Sequence, residues 1–182
     1  MTKVYKWGII GCGNVTEIKS GPAYKKVDDF FIHAVMRRDI EKGKDYSFRH
    51  NIPNFYNDAD VLINNPEIDA VYIATPPDTH SYYALKVAKA GKICCIEKPM
   101  ATSYKECLQI NNAFEEKEIP LFVAYYRRSL PRFSKIKSWI NENKIGEIRH
   151  LSWCLNKPAN DIDLSKEYNW RTDSKIAYGG YF

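Results

Sequence analysis

An α/β fold built on a doubly wound parallel sheet is predicted by three features of the sequence. Short runs rich in β-branched residues alternate with stretches of helical periodicity, the order that produces parallel strands joined by crossover helices. The runs are apolar on consecutive residues, as strands covered on both faces require. The first of them passes straight into Gly11-Cys12-Gly13, a glycine turn that opens a helix.

Strands are expected at residues 4–10, 31–36, 70–74, 93–96 and 121–124, with a short one at 54–56. Residues 81–90 read as a helix: Tyr83, Ala84, Val87 and Ala88 recur at helical spacing, Asp78 or Thr79 marks the start, and Gly91 ends it. Ser103 and Glu106 form a capping box for the next helix, whose buried stripe is Cys107, Ile110 and Phe114 and which stops before Pro120. Pro131 suits the first position of a third helix presenting Phe133, Ile136 and Ile140 on one side. After Gly146 the pattern changes, and residues 147–155 alternate like a strand with one solvated face. Residues 156–182 are polar, aromatic and irregular up to Gly179-Gly180-Tyr181-Phe182, an ending that reads as a cut inside a domain. The expected division is a first domain over 1–124 and the beginning of a second over 125–182.

With 182 residues, 45% of them hydrophobic and 27% charged, the chain has room for one full domain and part of another. Its net charge of +5 comes from lysine and arginine interspersed with acids, a solvated surface and not a nucleic-acid face. Residues 119–141 differ. They hold no Asp or Glu but do hold Arg127, Arg128, Arg132, Lys135 and Lys137, so an anionic ligand and an ordinary exposed helix face stand as alternatives there. Cys12, Cys94, Cys95, Cys107 and Cys154 form no C-x-x-C pair and have no histidine at ligand spacing, which argues for reduced thiols and against a metal site. The start of the chain goes directly into a strand, with neither a secretion signal nor a membrane span, so a cytoplasmic protein is expected.

The chemistry concentrates at the ends of the strands. Gly11 permits a tight turn and Gly13 a close backbone approach to a pyrophosphate, towards which the amides of Asn14 and Val15 point from the helix start. This is the dinucleotide fingerprint of a Rossmann domain, although Thr16 stands where a third glycine or alanine is usual. The second strand ends in Met36-Arg37-Arg38, without the acid that hydrogen-bonds the ribose of NAD. Arginines there pair with a 2′-phosphate, so NADP is favoured with NAD as the alternative; ordinary loop arginines are the bland reading. Ala74, Thr75, Pro76 and Pro77 form a proline turn walling the cofactor cleft, and His80 is read as cleft-lining, against the commoner role of a packing residue. The fifth strand ends in Glu97-Lys98-Pro99. Lys98 is the catalytic candidate, an ammonium able to hydrogen-bond a substrate hydroxyl and stabilise the developing alkoxide, the alternative being a surface lysine.

Together, G-C-G-N-V-T, A-T-P-P-D-T-H and C-I-E-K-P-M-A, in that order and spacing, resemble the glucose-fructose oxidoreductase/inositol dehydrogenase (Gfo/Idh/MocA) family. The resemblance continues through Ala124-Tyr125-Tyr126-Arg127-Arg128-Ser129-Leu130-Pro131, Ile145-Gly146-Glu147-Ile148, Asn169-Trp170-Arg171 and Gly179-Gly180. It implies a Rossmann domain followed by an α/β domain with an open, mainly antiparallel sheet, here incomplete. It also implies an NAD(P)-linked dehydrogenase acting on a sugar, cyclitol or related polyol. Glu97, Lys98 and Pro99 would lie beside the nicotinamide, Pro99 after a cis bond, and Arg128, Trp170 and Arg171 near the cofactor. Tyr126 replaces an asparagine frequent in relatives. The family's D-x-x-x-H segment, which supplies a proton-transfer histidine, would follow the last glycines. The chain is therefore expected to be a fragment of an enzyme about twice as long, a homodimer or homotetramer when complete. A cofactor-binding regulatory or structural protein is the alternative from another class.

Overall fold

The computed structural model describes residues 3–165 and 167–177, so the Gly179-Gly180 pair lies outside the described residues. The chain forms two compact units, one from the described residues of Met1–Ala124 and Arg171–Phe182, the other from Tyr125–Trp170.

The first unit carries a six-stranded parallel sheet. Its strands are β1 (Tyr5–Ile10), β2 (Phe30–Met36), β3 (Asn54–Tyr56), β4 (Ala70–Ile73), β5 (Ile93–Ile96) and β6 (Leu121–Val123). They lie in the order β3-β2-β1-β4-β5-β6, every neighbouring pair parallel. The chain winds outward from β1 to β3, returns, and winds the other way from β4 to β6. The order thus reverses between β1 and β4, where open α/β sheets leave a crevice at their carboxyl edge. All six expected strands are present, and β4 is buried along its whole length.

Helices cover both faces. One face packs α4 (Ala59–Ile63), α5 (His80–Lys89) and α6 (Tyr104–Glu115) through Leu62, Val87, Ile110 and Phe114 onto Ile10, Val71, Ile73 and Ile96. The other face, lined by Trp7, Ile9, Val35 and Tyr72, is covered by Tyr24 of α2 (Ser20–Tyr24) and Tyr46 of α3 (Ile40–Arg49), with α1 (Asn14–Ile18) leading in. Ile9, Ile10, Ile73 and Ile96 have no exposed surface. Burial of each contributes roughly 1.5–3 kcal/mol, and because these residues close β1, β4 and β5, the loops that follow start from fixed points.

Two local expectations are corrected. Ser103 caps α6 by accepting from the Glu106 amide, but Glu106 reaches back to the amide and hydroxyl of Thr102, one residue before the position a reciprocal capping box uses. In the second unit, α7 (Pro131–Asn141) begins at Pro131 as expected, and Ile136 and Ile140 on its apolar stripe are exposed. A short α8 (Asp161–Leu164) follows. Residues 147–155 form no strand, and none of the described residues beyond β6 does, so the expected second sheet has no member here. Alternation marks a segment suited to a half-buried strand, but only a neighbouring strand can satisfy its amides and carbonyls.

An ion cluster fastens α1 to α3. The Arg49 guanidinium forks onto Glu17 at 2.5 and 3.2 Å, and His50 reaches the same carboxylate at 2.8 Å. Arg49, then the His50 contacts, hold the Glu17 carboxyl down to about 2 from its ordinary 4.5. A depressed carboxyl stabilises the fold above its unfolded value, and that contribution disappears as pH falls from about 4.5 to about 2. Glu17→Gln should therefore flatten the acid limb of a melting-temperature profile across that window. At neutral pH it should cost less than about 1 kcal/mol, the scale of a partly exposed ion pair.

Candidate functional site at the carboxyl edge of the sheet

Parallel pairing brings the ends of all the strands to one edge, and the backbone ladder continues past them. Gly11 donates to Met36, Ala74 to Ile10, Glu97 to Ile73 and Ala124 to Ile96, at 2.8–3.0 Å. The glycine turn, the proline turn after β4 and the Glu97-Lys98-Pro99 turn after β5 therefore stand side by side on both sides of the reversal.

Gly11 has φ +95°, and a Cβ there would lie 2.8 Å from the Ala74 carbonyl oxygen. Both the turn and the approach of the next strand demand glycine. Gly13 differs, since a Cβ would meet nothing within 4 Å and its φ of −113° suits any residue. The fold does not need a glycine there, whereas a phosphate group approaching the backbone does. Gly13 caps α1, whose first two residues are Asn14 and Val15. Thr16 is fully buried and turns its hydroxyl back onto the Gly13 carbonyl at 2.8 Å. Its own carbonyl accepts from the Tyr46 hydroxyl and lies so close to Gly21 that a Cβ there would come within 2.2 Å. Gly21 thus lets α2 lie directly against the Thr16 carbonyl, a close approach with no mark in the motif itself.

Arg37 is tied to the same turn, its Nη1 donating to the Cys12 carbonyl at 2.6 Å. Arg38 is exposed beside it. Asp39, the first acid after β2, is engaged elsewhere, capping α3 by accepting from the Lys42 amide. Burial pushes the Cys12 thiol up to about 12, so it is not a thiolate at neutral pH.

Across the reversal, Glu97 is held from two directions. The Tyr72 hydroxyl of the neighbouring strand donates to Oε1, and the Lys98 amide approaches Oε2 at 3.2 Å. Burial, with the Glu97 charge adding to it, pushes the Tyr72 phenol far up, so it remains a donor. The Lys98–Pro99 peptide is cis. His80 is wholly enclosed, with Nδ1 2.8 Å from the Pro99 carbonyl and Nε2 2.8 Å from the Thr75 carbonyl. It does not line an open surface, because the residue has no exposed area and both ring nitrogens already face backbone carbonyls. Tyr72 was missed by reading motifs. The available signal was its hydroxyl in the buried run Ala70-Val71-Tyr72-Ile73, where a polar atom needs a partner.

Of the remaining sequence-derived site residues, Arg171 groups with the first unit, whereas Arg128, in a 3-10 turn at Tyr126–Ser129, and Trp170 belong to the second. Among the described residues no cluster of three or more His, Cys, Asp or Glu could hold a metal ion, and no helix is long and apolar enough to cross a membrane.

The sheet order, the glycine turn at the reversal and the Glu97-Lys98 pair opposite define a dinucleotide-binding type of Rossmann domain. Residues 5–125 match the Gfo/Idh/MocA model described as an oxidoreductase family with an NAD-binding Rossmann fold, and the chain belongs to that family. It is 43% identical over 177 residues to Oxidoreductase P35 of Formosa agariphila, covering 97% of this chain and 55% of that protein. It is 27% identical to the trans-1,2-dihydrobenzene-1,2-diol dehydrogenase of Xenopus laevis, covering 89% of this chain and 49% of that one. A solved structure described as a probable dehydrogenase from Thermotoga maritima superposes with a TM-score of 0.73 at 26% identity, over 78% of this chain and 42% of that one. The chain thus spans about half the length of the curated relatives it matches.

Proposed function

We propose that this chain carries the cofactor site and the substrate-polarising lysine of an NADP(H)-linked dehydrogenase acting on a secondary hydroxyl, or the matching carbonyl, of a sugar, cyclitol or related polyol. The observation that carries this reading is the position of Lys98. It follows a carboxylate fixed by Tyr72, on the sheet edge that also bears a glycine turn with open space at Gly13. The ring-diol activity in the name of the Xenopus relative supports the substrate class.

In this reading the amides of Asn14 and Val15 and the backbone at Gly13 hold the pyrophosphate. Ala74, Thr75, Pro76 and Pro77 wall the cleft, and Glu97, Lys98 and Pro99 face the nicotinamide end. Bound NADP(H) supplies the hydride acceptor or donor. Arg38, exposed next to the turn, and Arg37, behind it, provide the positive charge for a 2′-phosphate, while the carboxylate of Asp39 is occupied in capping α3. Arg171, which groups with the first unit, is a further proposed cofactor contact. Lys98 donates a hydrogen bond to the reacting oxygen, which favours the alkoxide-like charge that builds on it.

Titration with NADPH and NADH, followed by fluorescence or heat, tests the cofactor assignment. NADPH is expected to bind more tightly, and Arg38→Ala together with Arg37→Ala should reduce that preference by roughly 10- to 100-fold, the worth of one charge-assisted contact. Arg38→Ala alone should account for most of it, because Arg37 is already engaged by Cys12. A preference for NADH that ignores both arginines would reassign the cofactor to NAD.

A further inference from the structure

We propose that His80 is the positioning residue for Lys98, fastening the turn after β5 to the start of α5. Resting on the dehydrogenase reading, this gives a buried histidine, apart from any contact with substrate, a part in setting the reacting geometry. Two carbonyls meet its ring, each at 2.8 Å, and they belong to the two turns that flank the cleft. Pro99 directly follows Lys98, so the Nδ1 contact fixes the chain one residue past the lysine. Tyr72 fixes it one residue before, through Glu97. Lys98 is therefore suspended between two side-chain ties from different elements. The histidine cannot follow a drifting loop, because it opens α5 and that helix is anchored in the core by Ala84, Val87 and Ala88. The second carbonyl links Lys98 to the nucleotide side. Thr75, which Nε2 meets, stands within 3.0 Å of where a Gly11 side chain would be, and its hydroxyl is bridged to Thr79 at 2.7 Å.

Carbonyl oxygens only accept, and a neutral imidazole has a single N–H. In the proposed arrangement the neutral ring carries its proton on Nδ1 and holds the lysine turn through Pro99, with the Nε2 lone pair opposed to Thr75, while the imidazolium holds both turns. Burial pushes the ring below the ordinary histidine value, against the two carbonyls and the charges of Glu97 and Asp78, which favour the proton. At neutral pH the ring carries one proton, and a second arrives only in acid.

Two substitutions separate the ties in the full-length enzyme, since an Asn amide nitrogen reaches roughly where Nδ1 lies and a Gln nitrogen where Nε2 lies. His80→Gln keeps the Thr75 contact and loses Pro99. With nucleotide affinity and folding preserved, its kcat should fall on the order of 10- to 100-fold, as expected when a reacting group is displaced by an ångström. His80→Asn keeps the Pro99 contact, and its kcat should fall distinctly less. In parallel, ring nitrogen NMR of the wild type should show a single ring proton at neutral pH. The second should be taken up below the ordinary histidine range, with the Lys98 amide resonance moving in the same step. Equal kcat in wild type and both variants, or a ring titration to which Lys98 is indifferent, would reduce His80 to packing. If the wild type neither binds nucleotide nor transfers hydride, the dehydrogenase reading fails, and the NMR titration still decides whether His80 holds the lysine turn.

Discussion

Gly11→Ala should destabilise the first unit by about 2–5 kcal/mol, while Gly13→Ala, two residues on, should leave the melting temperature almost unchanged. At Gly11 two costs coincide. A left-handed backbone at φ +95° is worth about 1–3 kcal/mol to a residue with a side chain. A Cβ 2.8 Å from the Ala74 carbonyl oxygen adds an overpacking cost of similar size, because the contact is with backbone that the Ala74 amide ties to Ile10 and that cannot swing away as a side chain would. Against a net domain stability of about 5–15 kcal/mol this is a large fraction, read as a fall in melting temperature of about 10 °C or more. Gly13 incurs neither cost in the free chain. Its methyl group would instead stand where the pyrophosphate must approach, so affinity for NADPH should drop by roughly 10- to 100-fold through lost amide contacts. A Gly13→Ala protein that melts normally and binds nucleotide as the wild type does would remove the dinucleotide site from the turn. A Gly11→Ala protein of wild-type stability would show that the turn relaxes in a way its geometry forbids.

The same two glycines show why the turn could be read before the structure, and other residues why much else could not. A buried parallel strand needs apolar residues on both faces, so Ala70-Val71-Tyr72-Ile73 and Ile93-Cys94-Cys95-Ile96 announce themselves by composition alone. α3 gives no such signal, because its buried side consists of Gly43, Tyr46 and Ser47, which do not make an apolar period. Residues 147–155 carry a strand-like alternation but pair with no strand among the described residues, since pairing is a property of two segments and periodicity of one. At the site, motif position located Arg37, Glu97 and Lys98 on the sheet edge. The partners of these residues arise from convergence: the Cys12 carbonyl comes from the neighbouring turn and the Tyr72 hydroxyl from the neighbouring strand. His80 illustrates the difference most directly. Its place in the first turn of a helix is visible in the sequence, but the carbonyls that engage it belong to residues 5 and 19 positions away.

Lys98→Ala should lower kcat in the full-length enzyme by about 10²–10³-fold, while the affinities for NADPH and NADH stay close to those of the wild type. The magnitude is that of removing one preorganised donor from an oxygen on which charge develops. The selectivity of the effect follows from position, since the nucleotide phosphates are assigned to the glycine turn and the arginines beyond it, away from the lysine. Lys98→Arg should restore little of the lost rate. A guanidinium is planar and longer, and it cannot put a compact charge at the point a fixed ammonium reaches. Tyr72→Phe provides the complementary case. It releases Glu97, one of the two ties on the Lys98 turn, but keeps the ammonium itself, so a loss in kcat smaller than that of Lys98→Ala is expected together with a partly buried carboxylate short of one hydrogen bond. Single-turnover hydride transfer, followed by nicotinamide absorbance with a panel of cyclitols, sugars and ring diols, distinguishes these outcomes from product release. A Lys98→Ala enzyme that transfers hydride at the wild-type rate would move the polarising role away from Lys98, to a donor supplied by the substrate or by another part of the protein.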